Sequence, residues 1–205
     1  GSDDASDCID CVARRYIDLE GSDAEGDCID CGLGKFSAAG SDALGDCLDC
    51  ALGRYSATTP IAEAGCIECI AGKYIDVTGS DDASDCIDCV AGKYVDSPGS
   101  DDASDCIDCV AGRYIDLEGS DAEGDCIDCA LGKFSAAGSD AVGDCLDCAL
   151  GRYSATTPIA EAGCIECIAG KYIDATGSDD ASDCIDCVAG RYVDVTGSDA
   201  EGDCI

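Results

Sequence analysis

The chain has 205 residues, of which 45 are acidic, 11 are basic and none is histidine, so its net charge is −34. Such a surface repels nucleic-acid phosphates, which excludes nucleic acid as a partner, and the same repulsion disfavours anionic membrane surfaces. No apolar run reaches membrane-spanning length. There is no Trp or Met, whereas 21 cysteines make up about a tenth of the residues, as in disulfide scaffolds. Cysteine at this density indicates a secreted, extracellular or cell-surface protein.

Ten C-x-x-C pairs recur at intervals of 19 or 20 residues, followed by a further cysteine, Cys204. A short, strict period indicates tandem repeats that stack on near neighbours. A longer period lies above it, because residues 1–98 match residues 99–196 at all but seven positions. The sequence therefore predicts two near-identical blocks of five repeats, 1–98 and 99–196, and the start of an eleventh repeat at 197–205. We expect it to be a segment of a longer chain.

The first predicted element of each repeat is C-[IL]-[DE]-C, in which an apolar slot precedes an acidic one. Alternation of apolar and polar residues predicts a short strand. Gly stands three residues after the second Cys in nine of the ten repeats, and Arg14 takes its place in the first. Gly at a fixed position is typical of a turn with positive φ or of a close backbone approach.

A cation and then an aromatic follow this Gly, as in Arg15–Tyr16 and Lys35–Phe36. We expect the aromatic, the largest apolar group of the repeat, to cover the disulfide and the Ile of its own or the adjacent repeat. The cation then points to the other face, towards acids of the neighbouring repeat. G-S-D follows as a turn in which Ser and Asp bond backbone N–H groups two residues on. In the third and eighth repeats S-A-T-T-P-I-A-E-A-G replaces this turn.

Helix is not expected, because no repeat offers a useful apolar stripe of period 3.6 and Gly recurs at short intervals. The predicted fold class is a small disulfide-rich repeat array, an elongated rod or solenoid of short β-strands and turns with essentially no helix. Contacts are expected to reach only near neighbours along the chain.

The string C-x-x-C-x-x-G-[KR]-[YF]-x-x-x-x-G-S-x-x-x-x-x-C resembles the ephrin-receptor-like cysteine-rich repeat, and it is similar to the first half of tumour-necrosis-factor-receptor cysteine-rich modules. Long arrays of such repeats resemble those of large extracellular and flagellar-hair (mastigoneme) proteins of protists. In these relatives the Cys before x-x-G-x-[YF] bridges to the next Cys downstream. The resemblance implies the disulfides Cys11–Cys28, Cys31–Cys47, Cys50–Cys66, Cys69–Cys86, Cys89–Cys106, Cys109–Cys126, Cys129–Cys145, Cys148–Cys164, Cys167–Cys184 and Cys187–Cys204, with Cys8 paired to a preceding repeat.

Two other chemistries fit the C-x-x-C pairs less well. The spacing also satisfies a zinc-ribbon template, although His is absent and the pairs form a continuous series instead of isolated foursomes. Thioredoxin-like redox activity lacks the surrounding βαβ pattern. Structural disulfides are the interpretation that remains.

The repeated acids raise calcium as a possible cofactor, because hard cations prefer carboxylate oxygens. The candidates are Asp85 with Asp88 and Asp105 with Asp108, although no recognised calcium loop is present. A solvated acidic face that keeps the chain soluble is the competing interpretation. No other cofactor is predicted.

Glycans are a second class of possible partner. Asn is missing, which excludes N-glycosylation. Threonines beside proline are the candidates for O-glycosylation, with plain turn residues as the alternative: Thr58, Thr59, Thr156 and Thr157.

No catalytic constellation is recognisable, and we do not expect an enzyme, because paired carboxylates occur throughout and none is singled out. The leading hypothesis is a structural protein that forms or spaces an extracellular filament, hair or stalk, with self-association into a filament or bundle. The alternative is a ligand-binding or adhesive cell-surface ectodomain. Near-identical repeats favour the first, since a receptor diversifies the repeats that its ligand contacts.

Overall fold

A computed structural model describes residues 10–22, 24–58 and 65–205. They divide into two compact units, Gly1–Asp88 with Val95–Asp105 and Cys89–Tyr94 with Cys106–Ile205. The only helices in the described ranges are three-residue 3₁₀ turns, and none of them is long and apolar enough to cross a membrane. Repeats are counted below from the second Cys of each pair.

The first unit contains four antiparallel two-stranded ribbons. Each ribbon pairs a cation–aromatic dipeptide with the apolar–acidic dipeptide that lies between the two cysteines of the next C-x-x-C. The pairs are β1 (Arg15–Tyr16) with β2 (Ile29–Asp30), β3 (Lys35–Phe36) with β4 (Leu48–Asp49), β5 (Arg54–Tyr55) with β6 (Ile67–Glu68), and β7 (Lys73–Tyr74) with β8 (Ile87–Asp88). Its 3₁₀ turns are Glu25–Asp27, Leu44–Asp46, Ala83–Asp85 and Ala103–Asp105.

The second unit repeats this plan with five ribbons. They are β9 (Lys93–Tyr94) with β10 (Ile107–Asp108), β11 (Arg113–Tyr114) with β12 (Ile127–Asp128), β13 (Lys133–Phe134) with β14 (Leu146–Asp147), β15 (Arg152–Tyr153) with β16 (Ile165–Glu166), and β17 (Lys171–Tyr172) with β18 (Ile185–Asp186). Its 3₁₀ turns are Glu123–Asp125, Val142–Asp144, Glu161–Gly163, Ala181–Asp183 and Glu201–Asp203. The predicted class, a disulfide-rich repeat array of short strands and turns, is confirmed.

The register of the ribbons follows from the two-residue pattern. In β15 and β16, Arg152 faces Glu166 and Tyr153 faces Ile165. Directly opposite residues of an antiparallel pair share a face, so the charged pair lies on one face and the apolar pair on the other. The same register recurs in every ribbon of both units, which explains why cation–aromatic and apolar–acid dipeptides keep their order in each repeat.

Positive φ is confirmed at the Gly that follows each C-x-x-C, where it ranges from +69° to +92°. Arg14 occupies the same conformation with φ +90°. The turn therefore needs the left-handed region even where the sequence does not provide Gly, and Arg14 adopts a conformation that is costly for residues with a Cβ.

Candidate structural site at the repeat junctions

Each repeat is closed by a disulfide between its first Cys and the first Cys of the next C-x-x-C. Eighteen of these twenty cysteines are buried. The pairings are those that the resemblance implies, and Cys8 lies outside the described residues. They are Cys11–Cys28, Cys31–Cys47, Cys50–Cys66, Cys69–Cys86, Cys89–Cys106, Cys109–Cys126, Cys129–Cys145, Cys148–Cys164, Cys167–Cys184 and Cys187–Cys204. Because the two sulfurs of each pair are bonded to each other, none of these cysteines provides the thiolate that zinc requires.

The aromatic of one repeat packs on the disulfide of the next. Tyr153 lies against Cys167, Cys184 and Ile173, and the same arrangement is found at Phe36, Tyr55 and Tyr94. The predicted cover of a disulfide is thus found at the neighbouring repeat. The Ile of C-I-D-C is not buried in this way. It lies beside the aromatic in the ribbon but stays about half exposed, 49% at Ile165.

The residue directly after the aromatic is the apolar core that the sequence interpretation missed. Ile75, Ile115 and Ile173 are 0–2% exposed at this position. In other repeats the position is Ser, and Ser135 and Ser154 are equally buried, at 1% exposed. Ile or Val occurs where the bridged cysteines are 17 apart, and Ser where they are 16 apart. The buried Ser hydroxyls in this slot have hydrogen-bond partners, since Ser135 Oγ donates to Arg113 O and Ser154 Oγ donates to Thr156 O. The residue type in this slot changes with the separation of the bridged cysteines, and this covariation is the signal in the sequence that could have identified the slot.

In each of the nine ribbons the cation before the aromatic pairs with the acid of the following C-x-x-C, as expected for the opposite face. Arg152 Nη2 lies 2.8 Å from Glu166 Oε1, and Lys171 Nζ lies 2.9 Å from Asp186 Oδ1. These side chains are partly exposed, so each pair contributes about 0–1 kcal/mol. The pairs are Arg15–Asp30, Lys35–Asp49, Arg54–Glu68, Lys73–Asp88, Lys93–Asp108, Arg113–Asp128, Lys133–Asp147, Arg152–Glu166 and Lys171–Asp186.

From the second repeat on, each G-S turn docks backward on the preceding repeat. Gly177 N donates to Cys148 O at 2.9 Å, and Ser154 N donates to Ser178 O at 3.0 Å. Tyr153 and Ser178 form an isolated parallel β-bridge. The predicted role of Ser in the turn is wrong at several positions. Its hydroxyl donates backward, as in Ser139 Oγ to Ala136 O, instead of accepting from an N–H group two residues ahead.

The junction also reaches the second repeat along the chain. A Cβ built on Gly132 would lie 2.7 Å from the carbonyl carbon of Gly177 and 3.1 Å from Ser178 O. In the same way, a Cβ on Gly177 would lie 3.1 Å from Cγ of Asp147. Two glycines, one after C-x-x-C and one in the G-S turn, therefore permit backbone contact over 45 residues, beyond the immediate neighbours.

The four calcium candidates have partners within the chain. Asp88 Oδ1 lies 2.8 Å from Lys73 Nζ, and Asp108 Oδ1 lies 2.7 Å from Lys93 Nζ. Asp85 and Asp105 instead cap 3₁₀ turns, each accepting backbone N–H bonds of 3.0–3.2 Å from two residues before the turn. In the part of the chain that the structure describes, no three His, Cys, Asp or Glu side chains converge on a metal position. Each of these carboxylates therefore has a hydrogen-bond or ion-pair partner within its own repeat.

A second acid caps the same turns in the repeats that read D-D-A-S-D. Asp180 Oδ1 accepts from Ser182 N at 2.7 Å, so a bond of the predicted kind forms at the residue after the Asp of G-S-D for which it was predicted. This backbone hydrogen bond, with a smaller side-chain contribution from the same Ser, holds the pKa of Asp180 below its ordinary 3.8, and Asp82 and Asp102 are alike. The pKa of Glu166 is also lowered, by the Thr196 hydroxyl and then by Arg152.

We expect the stabilising effect of these caps to be lost in acid. Because the folded-state pKa of Asp180 is depressed, its contribution is fully present above the unfolded pKa of 3.8 and disappears as pH falls through the folded value. Carbon-13 NMR titration should give Asp180 a lower pKa in the folded chain than in the reduced, unfolded chain. Ser182→Ala should retain most of the lowering, since the backbone bond is its larger cause. Identical titration in both states would contradict the cap.

The O-glycan candidates are placed in turns that replace G-S-D. Thr58 and Thr156 are exposed and Thr157 is half-buried, whereas Thr59 lies outside the described residues. Thr156 O accepts the Ser154 hydroxyl through its backbone, so the side chain of Thr156 plays no part in that bond.

The comparisons with known proteins add no family. None of the protein-family models matches the chain, and a search of curated proteins also finds no match. The resemblance to ephrin-receptor-like and tumour-necrosis-factor-receptor-like repeats therefore stays a prediction from the motif. The structure itself defines the chain as a tandem array of disulfide-stapled repeats.

Proposed function

We propose that this chain is a structural segment that forms or spaces an extracellular filament, hair or stalk. The observation that supports it is the repetition of one junction along the described residues. Disulfide, aromatic, ion pair and G-S turn recur in the same register, and equivalent residues of the two blocks have nearly equal exposure, as with Leu48 at 55% and Leu146 at 54%. A junction that is repeated without change suits a protein segment whose role is to provide length.

A receptor-like ectodomain makes a different demand. Binding energy at protein interfaces is concentrated in a few residues, so a ligand site requires repeats that differ from their neighbours. The two blocks differ at only seven of 98 positions. The extracellular setting is supported by the disulfides, because the cytosol keeps thiols reduced.

Imaging of native material provides the test. Antibodies against the turn Ala155–Ile159, which occurs once per block, should decorate a filament at a constant axial interval. Labelling of a cell surface without filaments would favour the adhesive ectodomain instead. As a supporting measurement, the array predicted from the sequence should scatter X-rays with a radius of gyration well above the roughly 17 Å of a compact 205-residue chain.

A further inference from the structure

We infer that two acid-poor regions of the sequence, 31–68 and 129–166, provide self-association surfaces through their described residues, 31–58, 65–68 and 129–166, and that these surfaces bind a second copy of this chain. The inference rests on the proposed structural function and specifies where copies meet. Each region consists of the two consecutive 19-residue repeats of one block, and the two regions are 98 residues apart. We call them the acid-poor pairs.

Charge is the first observation. Residues 129–166 carry five acidic and two basic side chains, a net charge of −3, and residues 31–68 have the same counts. The preceding 89–128 carry eleven acids and two bases, a net charge of −9. Two of the acids in the second acid-poor pair, Asp147 and Glu166, are already in ion pairs with Lys133 and Arg152. Repulsion between two copies is therefore weakest at these repeats.

Exposed leucine is the second observation. Leu131, Leu146 and Leu150 are 46%, 54% and 40% exposed, and the equivalent residues of the first block, Leu33, Leu48 and Leu52, are 47%, 55% and 39% exposed. Val142 adds a further side chain at 67%. Leu146 faces Phe134 across β13 and β14, and Cys148 N bonds Gly132 O at 2.8 Å, so Leu146 lies in this ribbon and Leu131 lies two residues before β13. Val142 lies in the 3₁₀ turn of the same repeat, and Leu150 follows the next C-x-x-C.

The combination, not the apolar content alone, distinguishes these repeats. The acid-rich repeats also expose apolar residues, such as Ile107 at 48% and Val110 at 52%, but within a surface of about three times the net charge. A cationic partner would bind the acid-rich repeats better. The acid-poor pairs fit a partner that is itself strongly acidic and presents exposed leucine, and a second copy has both properties.

The period of the blocks supports the same occupant. The two acid-poor pairs are 98 residues apart in every copy, so two copies aligned in the same chain direction can bring each pair opposite its counterpart. The second contact is then intramolecular and strengthens binding without new types of contact. Self-association should therefore depend on both regions together.

The chain provides a matched test at the apolar slot of C-[IL]-[DE]-C. The test variant is Leu48→Asp/Leu146→Asp, one substitution in each acid-poor pair. The control is Ile29→Asp/Ile127→Asp, which adds the same charge at the same slot, also 98 residues apart, in acid-rich repeats where the side chains are 43% and 48% exposed. Sedimentation velocity over a concentration series in about 0.15 M salt, where charges are screened beyond roughly 8 Å, measures the dimer Kd.

We expect the wild-type chain to dimerise and Leu48→Asp/Leu146→Asp to raise Kd by at least about tenfold, against less than about threefold for the control. The single variant Leu146→Asp should lie between them. Equal losses in test and control, or a wild-type chain that is monomeric throughout the series, would overturn the inference, while the filament proposal would still be decided by imaging. Far-UV circular dichroism and thiol counts verify folding, and Leu48→Ser/Leu146→Ser replaces a test variant that fails to fold.

Discussion

Reduction of the disulfides is expected to unfold the chain, whereas a strong chelator should leave it folded. Each repeat has a single aromatic and few buried aliphatic side chains, so its junction depends on the buried sulfur pair on which the aromatic packs. Closing a loop of about 17 residues is worth roughly 3 kcal/mol in the chain-entropy model. Far-UV circular dichroism with thiol titration measures the outcome. Loss of structure in chelator alone would instead indicate a metal-dependent fold.

Removal of a single disulfide measures how much that bond contributes to the stability of its repeat. Removing Cys129–Cys145 by Cys129→Ala/Cys145→Ala should cost about 3 kcal/mol and expose the amides of that repeat to hydrogen exchange. Val142→Ala lies within the same loop, is 67% exposed, and should change stability by less than about 0.5 kcal/mol. If the two variants were equally stable, the sulfur pair would not be what holds the repeat.

Much of the repeat was predictable because its pattern is local. The strand at Ile165–Glu166, the positive φ at Gly151 and the pairing of Arg152 with an acid all follow from residues within one 20-residue period. The disulfide pairing came from a motif resemblance, since the odd cysteine count and the even spacing do not distinguish one connectivity from another.

Contacts between repeats were less accessible. The pattern does not show that Ile173 is buried while Ile165 remains half exposed, because each is an aliphatic residue directly before an acid. Nor does it show that Gly132 meets the backbone of Gly177, 45 residues away. Positive φ alone explains a Gly, so the second requirement, absence of a Cβ at a backbone contact, is hidden behind the first.

Gly132→Ala is expected to destabilise the second unit strongly, because it violates both requirements. The φ of Gly132 is +73°, and left-handed backbone costs a residue with a Cβ about 1–2 kcal/mol. The new Cβ would also overlap the Gly177 carbonyl, with its carbon at 2.7 Å and Ser178 O at 3.1 Å. Backbone cannot rotate away as a side chain can, so a total loss above about 3 kcal/mol is expected. Thermal and denaturant unfolding measure it.

Two further glycines separate the causes. Gly190 has φ +92° but no atom within 4 Å of the position that a Cβ would occupy, so Gly190→Ala should show the backbone cost alone, about 1–2 kcal/mol. Gly143 lies in a 3₁₀ turn without positive φ and also has open space, so Gly143→Ala should be nearly neutral. The ordering Gly132, Gly190, Gly143 is required if repeats interlock with their second neighbours. Equal losses for Gly132→Ala and Gly190→Ala would mean that the contact with Gly177 contributes nothing, and that each repeat is held by its adjacent neighbours only.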